Sequence, residues 1–173
     1  TGLRYATQNG WQAVRLGYRD GLFSDVILPP EGQLPEELTL DTLRALQDSL
    51  GRAAVEQVQL QLPKLDLTTS ADLLPYLREQ LPLQVKGVAG GFANMLETNK
   101  DAELVLDQAV QQAVLRVDEE GTVAAVVTEL AYAESSAPMS NITFRVDRPY
   151  LFTISEETTG WPILVANVGD PRG

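Results

Sequence analysis

Two short apolar runs separated by Asp20-Gly21 limit what this chain can fold into more than any other feature. Val14, Leu16 and Tyr18 alternate with Ala13, Arg15 and Gly17, the period-2 pattern of a strand with two unlike faces. Asp-Gly is a hairpin signal, because both residues accept the left-handed backbone that reverses a twisted ribbon. Residues 22–28 then read as the return strand. Pro29-Pro30 ends it, since proline cannot donate to a ladder.

The rest of the chain divides into short elements with no internal repeat. Residues 31–37 read as a loop. Leu40, Leu43, Leu46 and Leu50 recur at helical spacing between a candidate N-cap, Thr39, and a candidate stop, Gly51, which predicts a helix with its leucine face on a sheet. Val58, Leu60 and Leu62 alternate with Gln57, Gln59 and Gln61 in a one-sided strand. After Pro63-Lys64 the apolar parity flips to Leu65 and Leu67, which predicts a bend or bulge. Asp72 can cap a helix over 73–80, with Pro75 tolerated in its first turn. Residues 84–102 read as irregular, with a turn at Gly90-Gly91. Over 103–117, Leu106, Val110, Ala113, Val114 and Val117 have helical spacing, and the alanine, glutamine and leucine content agrees with a helix. Residues 142–146, 150–155 and 163–168 read as three short strands. Glu156-Glu157-Thr158-Thr159-Gly160 reads as a tight turn joining the last two.

Composition removes whole classes of chemistry. The chain has 173 residues, no histidine and no cysteine. Ser-His-Asp triads, Cys-His dyads, zinc fingers, haem ligation through His or Cys and disulfides are therefore excluded, and no metal site or cofactor is expected. Carboxylate-only chemistry stays open on composition, with 24 acidic residues present. A net charge of −11, without a basic cluster, argues against nucleic acid and against anionic membranes as partners. No apolar run reaches the length of a membrane-spanning helix. Thr1-Gly2-Leu3-Arg4-Tyr5 is neither a signal peptide nor an initiator methionine and reads as a start in mid-fold.

One stretch has no bulky side chain: Glu119-Glu120-Gly121-Thr122-Val123-Ala124-Ala125-Val126-Val127-Thr128. Taken alone it could be an ordinary strand. About twenty residues on comes Val146-Asp147-Arg148-Pro149-Tyr150-Leu151-Phe152-Thr153-Ile154. Together with Val26-Ile27-Leu28-Pro29-Pro30-Glu31-Gly32, Leu60-Gln61-Leu62-Pro63-Lys64-Leu65, Ala113-Val114-Leu115-Arg116-Val117-Asp118 and Pro162-Ile163-Leu164-Val165-Ala166-Asn167-Val168, these motifs stand in the order found in serpins. Over residues 5–171 the chain resembles that family of spring-trap protease inhibitors.

The resemblance implies an α+β fold of serpin-like mixed sheets with a few helices, in which residues 1–173 form only the C-terminal portion. Most helices and about half of the main sheet would precede Thr1. It also implies a long central strand over 103–117, against the local helical spacing, and the strand is the reading adopted. A reactive loop falls at about 121–141, with its hinge at Glu119, Gly121, Thr122, Ala124, Ala125, Val126 and Thr128. Lys64 and Glu119 match a pair that forms a salt bridge at the top of the main sheet. Ala137-Pro138-Met139-Ser140 resembles an elastase-inhibiting bait, which places the reactive bond at Met139-Ser140. Counting the family's spacing from the hinge gives Ser135-Ser136 instead, and both stay open.

The implied function is suicide-substrate inhibition of a serine (or cysteine) protease, not catalysis, by a secreted or extracellular protein. The alternatives are a non-inhibitory serpin-fold binding protein, or a fragment without inhibitory activity of its own. The implied partners are the target protease and either the remaining N-terminal half or a self-association partner. The chain departs from the family pattern at Tyr150 (usually phenylalanine), Gln111 (commonly histidine), Val123 (usually acidic) and the bulky Val126 and Val127.

Overall fold

The computed structural model describes residues 2–79, 108–117 and 142–170. It divides into two units, 1–65 with 117–173, and 66–116.

Three hairpin turns build most of the larger unit. Strands β1 (Gly2–Gln8) and β2 (Trp11–Gly17) are joined by Asn9 and Gly10, with φ of 52° and 82°. Gln8 faces Trp11 across this two-residue loop, the left-handed geometry that Asn-Gly supplies. A side chain at Gly10 would also meet the Pro30 ring at 3.1 Å. Between β2 and β3 (Leu22–Leu28), Asp20 and Gly21 take φ of 64° and 72°, as their identity predicts. Strands β8 (Tyr150–Glu156) and β9 (Pro162–Val168) close over a turn in which Gly160 has φ of 68°. Two further strands complete the set, β4 (Val55–Gln61) and β7 (Ile142–Arg145).

These strands form one seven-stranded sheet in the order β7-β4-β1-β2-β3-β8-β9. The pair β4 and β7 is parallel, and the other pairs are antiparallel, so the sheet is mixed. β3 lies inside it and is buried on both faces from Phe23 to Leu28. That explains its near-continuous apolar run.

Helix α1 (Leu40–Arg52) covers one face at β1 and β2. The Thr39 hydroxyl accepts a bond from the Thr42 amide at 3.2 Å, the cap expected from sequence. Leu46 and Leu50 are fully buried against Ala6, Trp11, Ala13 and Ile27. Ala6, Ala13, Ile27 and Leu151 lie directly opposite one another across four strands, so they share this face. Two details of the predicted helix are corrected. Leu40 is 68% exposed, and Thr42 is buried in the first turn instead. Gly51 does not end the helix, which runs to Arg52 and closes with the Ala53 amide bonded to the Ser49 carbonyl. The loop expected over 31–37 holds a short 3-10 turn, Pro35–Glu37.

The smaller unit contains a two-stranded sheet, β5 (Leu65–Asp72) with β6 (Val110–Val117), and helix α2 (Leu74–Glu79). The bend or bulge expected at Pro63-Lys64 is a change of sheet: β4 ends at Gln61 and β5 begins at Leu65 in another. The Asp72 carboxylate accepts from the Leu74 amide at 3.0 Å, as expected of a cap. Over 110–117 the chain is a strand, as the resemblance implies and against the helical spacing. Leu115 and Val117 are buried and Ala113 half-buried, while Val114 and Arg116 point outward. Pairing with β5 overrides the local propensity. The expectations for 84–102 and 103–107 lie outside the described residues.

Candidate functional site

The hinge and bait residues Glu119, Gly121, Thr122, Ala124, Ala125, Val126, Thr128, Ser135, Ser136, Met139 and Ser140 lie outside the described residues. What the structure places is the ground on either side of them. On the N-terminal side β6 runs to Val117. The Leu73 amide donates to the Ala109 carbonyl at 2.7 Å just before the strand, and Arg116 Nε meets Asp66 Oδ1 at 3.1 Å within it. That ion pair is exposed on both sides, 73% and 70%, so it contributes under about 1 kcal/mol. Val110 and Val114 stand exposed on the same strand. Lys64 is an exposed residue of the link between β4 and β5; its expected partner Glu119 lies outside the described residues.

On the C-terminal side β7 is held firmly. Its Phe144 is fully buried and meets the Tyr5 ring edge-on, with centroids 6.4 Å apart. The Val146 amide donates to the Gln61 carbonyl at 2.9 Å. Arg148 Nε then donates to the Pro29 carbonyl at 2.9 Å, and its Nη1 meets Asp147 Oδ1 at 3.0 Å. Two motifs that are far apart in sequence, 26–32 and 146–154, are thus tied together at the end of β3. The proline that ends β3 leaves a carbonyl free for this arginine.

Two buried polar features escaped the sequence reading. Arg15 and Asp25 face each other across β2 and β3 in a two-pronged pair, both bonds 2.7 Å long, with the Asp25 side chain 0% and Arg15 15% exposed. The Arg15 guanidinium also lies 3.8 Å above the centroid of the Phe23 ring. Burial pushes the Asp25 carboxyl up, and Arg15 pulls it back only in part. Asp25 falls inside an apolar run, which was the available signal. The second feature is the Tyr150 hydroxyl, buried without a hydrogen-bond partner among the described residues and pushed up to about 12 by that burial. Both arrangements are internal to the sheet. Among the described residues no cluster of three metal-ligating side chains occurs, and no helix is long and apolar enough to cross a membrane.

A domain with a seven-stranded mixed sheet, a one-sided helix and an Arg-Pro tie across the sheet end is a definable class of fold, and comparison identifies it. The family profile described as Serpin (serine protease inhibitor) matches residues 2–171. Iripin-3 of Ixodes ricinus is 32% identical over 92% of this chain and 40% of its own length. Alpha-1-antiproteinase of Callosciurus caniceps is 32% identical over 98% of this chain and 40% of its own. A solved serpin from the trematode Schistosoma haematobium superimposes with a TM-score of 0.77 at 22% identity, covering 99% of this chain and 45% of that one. The chain belongs to the serpin family. It carries part of the serpin fold and spans about two-fifths of the length of the curated relatives it matches, 40% of each of these two.

Proposed function

We propose that this chain is the C-terminal portion of a secreted serpin that inhibits a serine (or cysteine) protease as a suicide substrate, with residues 121–141 as its reactive loop. The observation that carries the reading is the small, β-branched hinge sequence of 119–128, which directly follows strand β6 in a chain of this family. Relatives at about this identity are named as protease inhibitors, in agreement with it.

In this mechanism the protease serine (or cysteine) attacks the carbonyl of Met139, or of Ser135 in the shorter register. The peptide bond to the following serine breaks, an acyl-enzyme forms, and the leaving amine takes the proton held by the protease histidine. The severed hinge then enters the main sheet as a new strand. Alternate residues of a strand face opposite sides. Thr122, Ala124, Val126 and Thr128 would face one side, and Val123, Ala125 and Val127 the other; all are small or β-branched, as a strand covered on both faces requires. About ten inserted residues, at about 1 kcal/mol per net ladder bond, give about 10 kcal/mol. That matches the roughly 5–15 kcal/mol that keeps a protease folded, so insertion can distort the captured enzyme. Lys64 paired with Glu119 would steady the point where insertion begins.

A non-inhibitory binding role is the second reading. Val123 and Val126 favour it, because they depart from the inhibitory pattern where insertion starts, as do Gln111, within strand β6, and the length of the loop. Mixing the full-length gene product with elastase- and subtilisin-type proteases separates the two. A covalent complex that survives SDS supports inhibition; cleavage without a complex supports the binding role. Thr122→Arg is expected to abolish the complex while cleavage continues, because a buried arginine stalls insertion. Undiminished complex formation in that variant would overturn the insertion step.

A further inference from the structure

The Asn-Gly and Asp-Gly hairpins share a turn but not a register. Asn9 and Gly10 have φ of 52° and 82°, and Asp20 and Gly21 have φ of 64° and 72°. Around Asn9-Gly10 the flanking Gln8 and Trp11 pair directly, and the ladder continues in step to Arg4 and Arg15. The same two-residue loop at Asp20-Gly21 would pair Arg19 with Leu22. Instead the Tyr18 amide donates to the Leu22 carbonyl at 2.8 Å, and Gly17 faces Phe23. Arg19 is the extra residue, and the β2–β3 ladder runs one residue out of step with its turn. A shift of one residue exchanges the faces of a strand. Apolar burial gives little reason to choose between those faces, because β3 is buried on both from Phe23 to Leu28. The polar side chains do choose. In the observed ladder Arg15 lies opposite Asp25 and holds it with two bonds of 2.7 Å. The Ser24 hydroxyl donates to the Tyr18 hydroxyl at 3.2 Å. In the register that the turn favours, Arg15 would face Val26, and Asp25 would lie opposite Leu16 with its charge stranded, at a large cost.

We propose that the Arg15–Asp25 pair is a register pin: it sets β3 one residue away from the alignment its own turn favours, and so places the Pro29 carbonyl for Arg148. A slip of one residue carries Leu28 and Pro29 about 3.3 Å along the strand. It also turns Ile27 off the face that packs on Leu46 and Leu50. The Pro29 carbonyl, which accepts from Arg148 Nε at 2.9 Å, then moves out of reach, and the tie between residues 26–32 and 146–154 is lost. A buried ion pair need not add stability; its best-attested use is to select one arrangement among several of similar energy. The proposal rests on the ladder and not on the inhibitory reading, so either can fail alone.

The test uses the isotopically labelled full-length gene product, with NMR of residues 12–28 and urea unfolding on the same samples. The unsubstituted protein should give one set of amide signals, with cross-strand contacts between residues 15 and 25. Arg15→Met combined with Asp25→Leu should stay folded, yet give signals whose contacts run from residue 15 to residue 26, beside or in place of the first set. Deleting Arg19 brings the turn into step with the observed ladder. In that double variant the deletion should return one set of signals with the contacts between residues 15 and 25. In the otherwise unsubstituted protein it should keep the register and raise the urea midpoint, because turn and ladder then agree. A double variant that keeps only the original register would overturn the proposal, and so would contacts to residue 26 that persist after Arg19 is deleted. Should the double variant fail to fold, the deletion in the unsubstituted protein decides: a higher midpoint supports the pin, and no rise overturns it.

Discussion

At the scale of single residues, burial decides more than identity. Tyr150 keeps a hydroxyl that no neighbour among the described residues satisfies. Leaving such a group dry costs about 1–3 kcal/mol. Tyr150→Phe should therefore raise stability by about 1 kcal/mol, seen as a melting temperature a few degrees higher; a lower one would show that the hydroxyl has a partner. Arg15 and Asp25 form a closed pair inside the sheet. Removing one partner of such a pair strands the other, and Asp25→Asn should cost about 3 kcal/mol in urea unfolding. The double replacement Arg15→Met with Asp25→Leu should cost much less, or stabilise, since two apolar side chains replace a desolvated pair. A double variant as weak as the single one would contradict this account. The sequence showed an aspartate in an apolar strand but not its partner, because cross-strand neighbours depend on register. The Tyr150 substitution was legible; the lack of a partner was not, because linear order does not show what covers a side chain.

At the scale of elements, α1 is fastened by its cap and two leucines. Leu46→Ala should cost about 2–5 kcal/mol and Thr39→Ala about 1 kcal/mol by denaturant unfolding. Trp11, buried beside Leu46, is a local fluorescence reporter. The β8–β9 turn has a different lock. The Glu156 carboxylate accepts from the Thr159 hydroxyl at 2.6 Å and from the amides of Thr158 and Thr159 at 2.8 and 2.7 Å, which hold its pKa down to about 2 from 4.5. A depressed carboxylate adds stability that is present above its ordinary value and lost as pH falls through the depressed one. Glu156→Gln should thus flatten the acid limb of the stability curve between pH 4.5 and about 2 and leave its slope near neutrality unchanged. An unaltered acid limb would contradict this.

Most elements were readable because their turns carry their own chemistry. Asp20-Gly21, Pro29-Pro30 and the Thr39 cap all act locally. The Asn9-Gly10 turn was equally local, yet β1 was missed because its buried residues, Leu3 and Ala6, fall on opposite faces of the sheet and break the period of two. Strand β6 was misdirected by helical spacing, and only the resemblance corrected it, because its strand character comes from pairing with β5.

At the scale of the whole molecule, family and fold follow from motif order, whereas the candidate site falls on a segment outside the described residues. Strand β7 and the Arg148–Pro29 tie fix one end of it, and β6 leads into the other. The account requires that the chain after Gly121 join the main sheet once cut, where each added ladder bond favours the cut form over the intact one. The most direct test is a melting curve of the full-length gene product before and after a single cut within residues 121–141. The account predicts a large rise in melting temperature on cutting, with the two pieces staying together. A melting temperature that stays the same or falls would contradict it.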